Sequence, residues 1–239
     1  MAIDDKFDQI SQQYPEESPN RVLDLTLKAL SLIPGVGVPI TLADAIRSHF
    51  SSQKALERLK VFSEAVIEEV RKHDRELSEI KAKIGTADFA QVFLASANIV
   101  VFTPNVTRIR QFGWILGYEA TSEDEEGWDE AASLVDDLSR LTEKDLDALR
   151  IMIRFQGEHV RDVPTPQEHD ALENAFKNVI RAAVDSGMSN YEFYGRALRL
   201  SGFGLARPIT GKLTLWAPQD MVFGPTPRGK RLVEIISQV

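Results

Sequence analysis

The chain contains no cysteine. Disulfides and thiolate metal sites are therefore excluded, and the absence fits a reducing cytoplasm. The opening residues, Met1-Ala2-Ile3-Asp4-Asp5-Lys6, hold no basic region followed by an apolar run, so no secretory signal is read there. A P-loop is missing too. Gly35-Val36-Gly37 lacks the preceding strand and the third glycine that a dinucleotide fingerprint needs. None of the four histidines sits with a serine or an acid in a recognisable catalytic motif. The expectation is a protein with no catalytic constellation, no bound metal and no cofactor.

What remains is an ordinary globular composition, 43% hydrophobic and 27% charged, in 239 residues. That is enough for one large domain or two small ones with a real core. The net charge of −8 disfavours indiscriminate binding to a phosphate backbone. Its distribution is uneven: residues 119–175 are strongly acidic, whereas residues 190–239 carry more basic side chains than acidic ones. The acidic run Ser122-Glu123-Asp124-Glu125-Glu126-Gly127 reads as a solvated loop.

Residues 1–18 are polar and read as a loose arm. Ser18-Pro19 looks like a helix start, with a hydroxyl for the exposed amides and a ring already at helical φ. Pro34-Gly35 and Pro39 then divide the apolar stretch up to Ile46. Residues 53–84 form the clearest helix. Leu56, Leu59, Ser63, Val66, Val70, His73, Leu77, Ile80 and Ile84 recur three and four apart, on one seam. Glu57, Arg58, Glu68, Glu69, Arg71 and Lys72 occupy the other faces, and Gly85 closes the run. A long helix of this kind packs in a bundle or pairs as a homodimer. Thr86 can cap the next helix, and Pro104-Asn105 restarts the chain into Ile109, Phe112, Ile115 and Leu116.

Residues 29–43 and 89–107 carry no charge. The first would reach ~22 Å as a helix, short of a ~30 Å hydrocarbon core. The second holds Gln91, Ser96, Asn98, Pro104 and Asn105, poor company for lipid. Both read as helices buried in a helical core; the alternative is a membrane-inserting pair.

Downstream, Trp128, Ala131, Leu134, Val135, Leu138 and Leu141 make one apolar helix face. Thr142 with Asp145 starts the next helix, and Thr165-Pro166-Gln167-Glu168 another. The informative stretch is 183–239. Gly187 permits a tight turn, and Ser189-Asn190-Tyr191-Glu192 is a capping box. Phe193, Ala197 and Leu200 line one face of the helix that follows, which Gly202-Phe203-Gly204-Leu205-Ala206 stops. Residues 212–216 and 221–224 read as short strands, and Thr226-Pro227 caps a last helix. Helix, glycine turn, helix, hairpin, helix is the order of a winged helix-turn-helix.

Gly187-Met188-Ser189, Phe193, Ala197, Leu200 and Gly204-Leu205 resemble the winged-helix pattern Gly-Leu-Ser, Leu, Gly-Leu. Thr226-Pro227-Arg228-Gly229-Lys230 resembles the Leu-Thr-x-x-Gly opening of its closing helix. With IPGVG at 33–37, the charged long helix and Leu-Thr-Glu-Lys-Asp-Leu at 141–146, the chain is similar to poorly characterised bacterial proteins related to the abortive-infection alpha family. The resemblance implies a role in resistance to phage and offers no catalytic residues.

If the winged helix reads double-stranded DNA, Asn190, Tyr191, Arg196 and Arg199 fall on its reading helix, and Lys212, Arg228 and Lys230 are placed for phosphates. Glu158-His159 and Glu168-His169 invite a metal reading, but the Pro164-Thr165-Pro166 break keeps them off one helix face, and a polar loop is preferred. The sequence thus predicts a mainly α protein with a loose arm (1–18), an antiparallel helical bundle (19–120) and a winged-helix-like region with a preceding helix (121–239). The favoured function is a non-enzymatic cytoplasmic interaction protein with a protein partner, in phage defence. The alternative is a DNA-binding regulator that dimerises through the long helix.

Overall fold

A computed structural model describes residues 53–72, 80, 83–84, 86–122, 127–155, 166–209 and 221–237. Eight helices and one pair of short strands occupy them: α1 (Gln53–Lys72), α2 (Ala87–Val100), α3 (Val106–Thr121), α4 (Gly127–Arg140), α5 (Glu143–Phe155), α6 (Pro166–Asp185), α7 (Asn190–Gly202), β1 (Ala206–Pro208), β2 (Phe223–Pro225) and α8 (Pro227–Ile236). The protein is mainly α. The arm, the apolar stretch up to Ile46, His73, Glu158-His159, the side chains of Glu168-His169 and the expected strand at 212–216 all lie outside the described residues. The contacts group the chain into two compact units, 1–139 and 140–239.

In the first unit, the local signals act where the sequence places them. Thr86 Oγ1 accepts the Phe89 amide at 3.2 Å, and Asn105 Oδ1 accepts the Arg108 amide at 3.2 Å, so each caps its helix. Leu59, Val66, Val70, Ile80 and Ile84 of the expected seam are buried. So are Phe62 and Ala65, because α3 packs closely against α1.

The approach is set by two glycines one turn apart. A Cβ at Gly113 would lie 2.6 Å from both the Ala65 Cβ and the Phe62 carbonyl oxygen; one at Gly117 would lie 2.5 Å from the Glu69 Cβ. Among the described residues of α1, the seam positions Leu59, Ser63, Val66 and Val70 are buried. Glu69, expected on the solvated side, is instead fully buried beneath α3 and pairs with Lys72 at 3.1 Å. An aromatic chain continues the core, with centroid distances of 5.0 Å for Phe62–Phe93, 5.7 Å for Phe89–Phe93 and 5.0 Å for Phe89–Trp128.

The segment 89–107 supplies α2, which buries Phe89, Val92, Phe93, Ser96, Ala97 and Val100. Ser96 satisfies its hydroxyl on the Val92 carbonyl at 2.8 Å. Arg58 donates to the Val101 carbonyl just past the end of α2, where the helix dipole favours a cation. Phe102, in the turn before α3, is 83% exposed. Among the described residues no helix is long and apolar enough to cross a membrane.

In the second unit α5 is central. Leu146, Ala148, Leu149 and Met152 are fully buried, and α6, α7, α8 and β2 all pack on this helix. Thr142 and Asp145 form a reciprocal cap: the Thr142 amide donates to Asp145 Oδ2 at 2.7 Å, and the Asp145 amide to Thr142 Oγ1 at 3.3 Å. The two strands pair antiparallel, Ala206 opposite Pro225 and Pro208 opposite Phe223. β1 therefore begins directly after α7, at Ala206, the last residue of the stretch expected to stop that helix. The reason is Gly204, whose φ of +68° turns the chain at once so that Leu205 is buried and Ala206 enters the pair.

Candidate functional site

The site is built on α6, its turn and α7. Gly187 has a φ of +87°, and the Met188 amide bonds back to the Ala183 carbonyl at 2.9 Å, which closes the end of α6. Ser189 Oγ then accepts the Glu192 amide at 3.2 Å and opens α7. Phe193, Ala197 and Leu200 are fully buried, and Phe176 of α6 meets the Phe193 ring at 6.1 Å and the Tyr194 ring at 5.9 Å.

That inner face fixes the outer one. At ~100° per residue, the positions opposite Phe193, Ala197 and Leu200 are Tyr191, Gly195, Leu198 and Gly202. Tyr191 is 80% exposed and Leu198 is 43% exposed. A Cβ added at Gly195 or Gly202 would meet nothing within 4 Å. The outward stripe is neutral: one aromatic, one leucine and two open notches.

The arginines of α7 flank this stripe and are engaged by their own unit. Arg196 donates to Asp145 Oδ1 at 3.0 Å, to Glu192 Oε1 at 2.7 Å and to Thr142 Oγ1 at 3.0 Å. Asp145 is fully buried, and Arg199 Nε stands 3.7 Å from its other oxygen. Arg199 also donates to the Arg140 carbonyl. Lys144 closes the cluster on Glu192 at 2.9 Å.

Burial pushes the Asp145 carboxyl up, but hydrogen bonds from Thr142 and Arg196 and the charge of Arg199 outweigh it, and the group lies below its ordinary value. Hydrogen bonds from Arg196 and then Lys144 hold Glu192 down at about 2. Burial works against the charge of Arg196, yet its bonds to Glu192 and Asp145 raise it above its ordinary value.

The residues expected to meet a partner thus separate. Asn190 and Tyr191 are exposed at the start of α7, Arg199 is exposed at its edge, and Arg196 is largely covered. Arg228 donates to the Phe203 carbonyl at 2.6 Å, and Lys230 is half-buried on α8. Lys212 lies outside the described residues. Asp145, expected only to help start a helix, Gly202, expected only to help stop one, and Lys144 and Leu198 take places in the site that the sequence did not assign to them. The spacing 191, 195, 198, 202 was there to be read, because it mirrors the buried set 193, 197, 200 across the helix.

Among the described residues no group of three or more His, Asp or Glu could hold a metal ion. The sequence matches no protein-family model, and no curated protein and no solved structure matches it.

Proposed function

We propose that the chain is a non-enzymatic protein-interaction component, that residues 140–239 form a winged helix, and that α7 docks on protein rather than reading DNA. The order α6, glycine turn, α7, antiparallel strand pair, α8 supports the winged helix. Order alone does not say what such a module binds. The observation that carries the protein reading is the direction of charge on α7. A groove-reading arginine needs its fork free for a guanine edge. Arg196 is held instead by Asp145 and Glu192, while the outward stripe offers Tyr191, Leu198 and no charge. Exposed tyrosine and charge depletion are marks of protein interface centres. For a place in phage defence the support is the motif resemblance alone, Leu-Thr-Glu-Lys-Asp-Leu at 141–146 with the pattern at 187–230.

The test is a duplex DNA titration at low and high salt. The expected outcome is no retention at low salt, with no change in Arg199→Ala. Binding with a steep salt slope that Arg199→Ala reduces would replace this reading with that of a DNA-binding regulator. For the defence role, expression in a phage-challenged bacterium is expected to lower plating efficiency, and Leu198→Glu to restore it; unchanged plating would remove that part.

A further inference from the structure

The four outward positions of α7 stand four, three and four residues apart, the spacing of a two-helix seam. Large and small side chains alternate along it: Tyr191, Gly195, Leu198, Gly202. Within the first unit, helical glycines at 113 and 117 let another helix come close. The notches at Gly195 and Gly202 are open, and the two large side chains beside them are exposed.

The order of sizes selects the occupant. When a helix pairs antiparallel with a copy of itself about the point midway between 196 and 197, position 195 faces 198 and position 191 faces 202. Every layer then sets one large side chain against one glycine. A parallel pair sets tyrosine on tyrosine and glycine on glycine, which wastes both the knobs and the notches. Charge follows the same rule. Glu192 and Arg199 lie along one border of the stripe, and in an antiparallel pair equivalent borders meet. Glu192 of each helix therefore faces the partner's Arg199, and the contact occurs twice.

We propose that the occupant of this face is a second copy of the chain: α7 pairs antiparallel across a two-fold axis, Leu198 seated on the partner's Gly195 and Tyr191 on the partner's Gly202. The interface is isologous, each contact recurring with the roles exchanged. The proposal rests on reading α7 as a protein-docking face and names its partner. A seam of four positions is small beside a standard interface of ~1,600 Å2, so the dimer is concentration-dependent.

Sedimentation of the full chain over a concentration series tests it, with far-UV circular dichroism confirming that each variant stays helical. The wild type is expected to dimerise as concentration rises. Gly195→Leu opposes two leucines, and Leu198→Gly removes the knob; each is expected to weaken the dimer by about tenfold or more, the scale of one lost apolar side chain. The double exchange Gly195→Leu with Leu198→Gly keeps one large and one small residue in each layer and is expected to recover most of the affinity.

The absence of cysteine permits a second measurement. Leu198→Cys places the two thiols only ~4.5 Å apart along the axis, whereas Tyr191→Cys places them ~16 Å apart. A short bifunctional maleimide is expected to link the first pair and not the second. A chain that stays monomeric throughout, or a dimer indifferent to Gly195→Leu, overturns the proposal and leaves α7 open to a different protein. Equal linking at 191 and 198 overturns the antiparallel register. Arg199-dependent DNA binding sinks the docking reading itself.

Discussion

The backbone of Gly229 in α8 rests on the carbonyl group of Leu205. A Cβ at 229 would fall inside contact distance of the Leu205 oxygen, 2.9 Å from the carbonyl carbon and 3.3 Å from Leu149 Cδ1. The same carbonyl accepts the Thr226 amide at 3.1 Å. One peptide group thus fixes where the last helix starts and how near it comes to α5.

Gly229→Ala should consequently destabilise the protein by about 2 kcal/mol, the usual scale of overpacking against backbone that cannot move aside. Urea denaturation followed by circular dichroism measures it. A change below ~0.5 kcal/mol would show that α8 can slide without penalty.

The close approach of α1 and α3 makes a parallel prediction in the first unit. Gly113→Ala forces its methyl onto the Phe62 carbonyl oxygen, and Gly117→Ala onto the Val66 carbonyl oxygen at 2.7 Å. Alanine raises helix propensity by ~1 kcal/mol, so the packing cost must exceed that gain to appear. Backbone atoms stand in the way at both positions, so each variant should lose ~1–3 kcal/mol net. A stabilised variant would mean that α1 and α3 give way to the added methyl without penalty.

Much of this fold was legible because the signals are local. Thr86, Asn105, Thr142, Ser189 and Thr226 each cap the helix that the sequence assigned to them, since a cap needs only a short side chain and the next turn. The buried face of α4 follows from the spacing of Trp128, Ala131, Leu134, Val135 and Leu138. Glu69 was not legible: its burial depends on Gly117, far along the chain and on another helix. Nor was the fate of Arg196. Its position on the reading helix could be counted from Ser189, but not the long-range arrival of Asp145 beneath it.

The cluster around Asp145 carries a pH dependence. Asp145 and Glu192 both lie below their ordinary values in the folded chain, Glu192 at about 2. Unfolding would let them bind protons more readily, so their stabilising effect is complete above the ordinary carboxylate range near pH ~4. It is lost as pH falls through the folded-state values. Stability measured between pH ~5 and pH ~2 should therefore decline, and Glu192→Gln should flatten the slope. Asp145→Ala should cost about 3 kcal/mol at neutral pH, because it leaves Arg196 short of its buried partner. An unchanged acid slope in Glu192→Gln would place the acid sensitivity on other carboxylates.

Thr226 allows the two functions of a cap to be separated. Its hydroxyl accepts the Gly229 amide at 3.0 Å and donates to the Gly204 carbonyl at 2.7 Å, so it joins the turn leaving α7 to the first turn of α8. Thr226→Ser keeps both bonds and should cost under ~0.5 kcal/mol. Thr226→Ala removes both and should cost about 1–2 kcal/mol. Thr226→Asp offers a stronger acceptor at the positive end of α8 but, when ionised, no proton for the Gly204 carbonyl. If capping dominates, the aspartate variant should match the wild type at neutral pH and weaken in acid as it is protonated. If the bond to Gly204 dominates, it should behave like the alanine variant at neutral pH and recover in acid, where the protonated carboxyl can donate to the Gly204 carbonyl. The bond joins two segments on either side of the strand pair, so the second outcome is expected, read as equal denaturation midpoints for Thr226→Asp and Thr226→Ala at neutral pH and a higher midpoint for Thr226→Asp in acid.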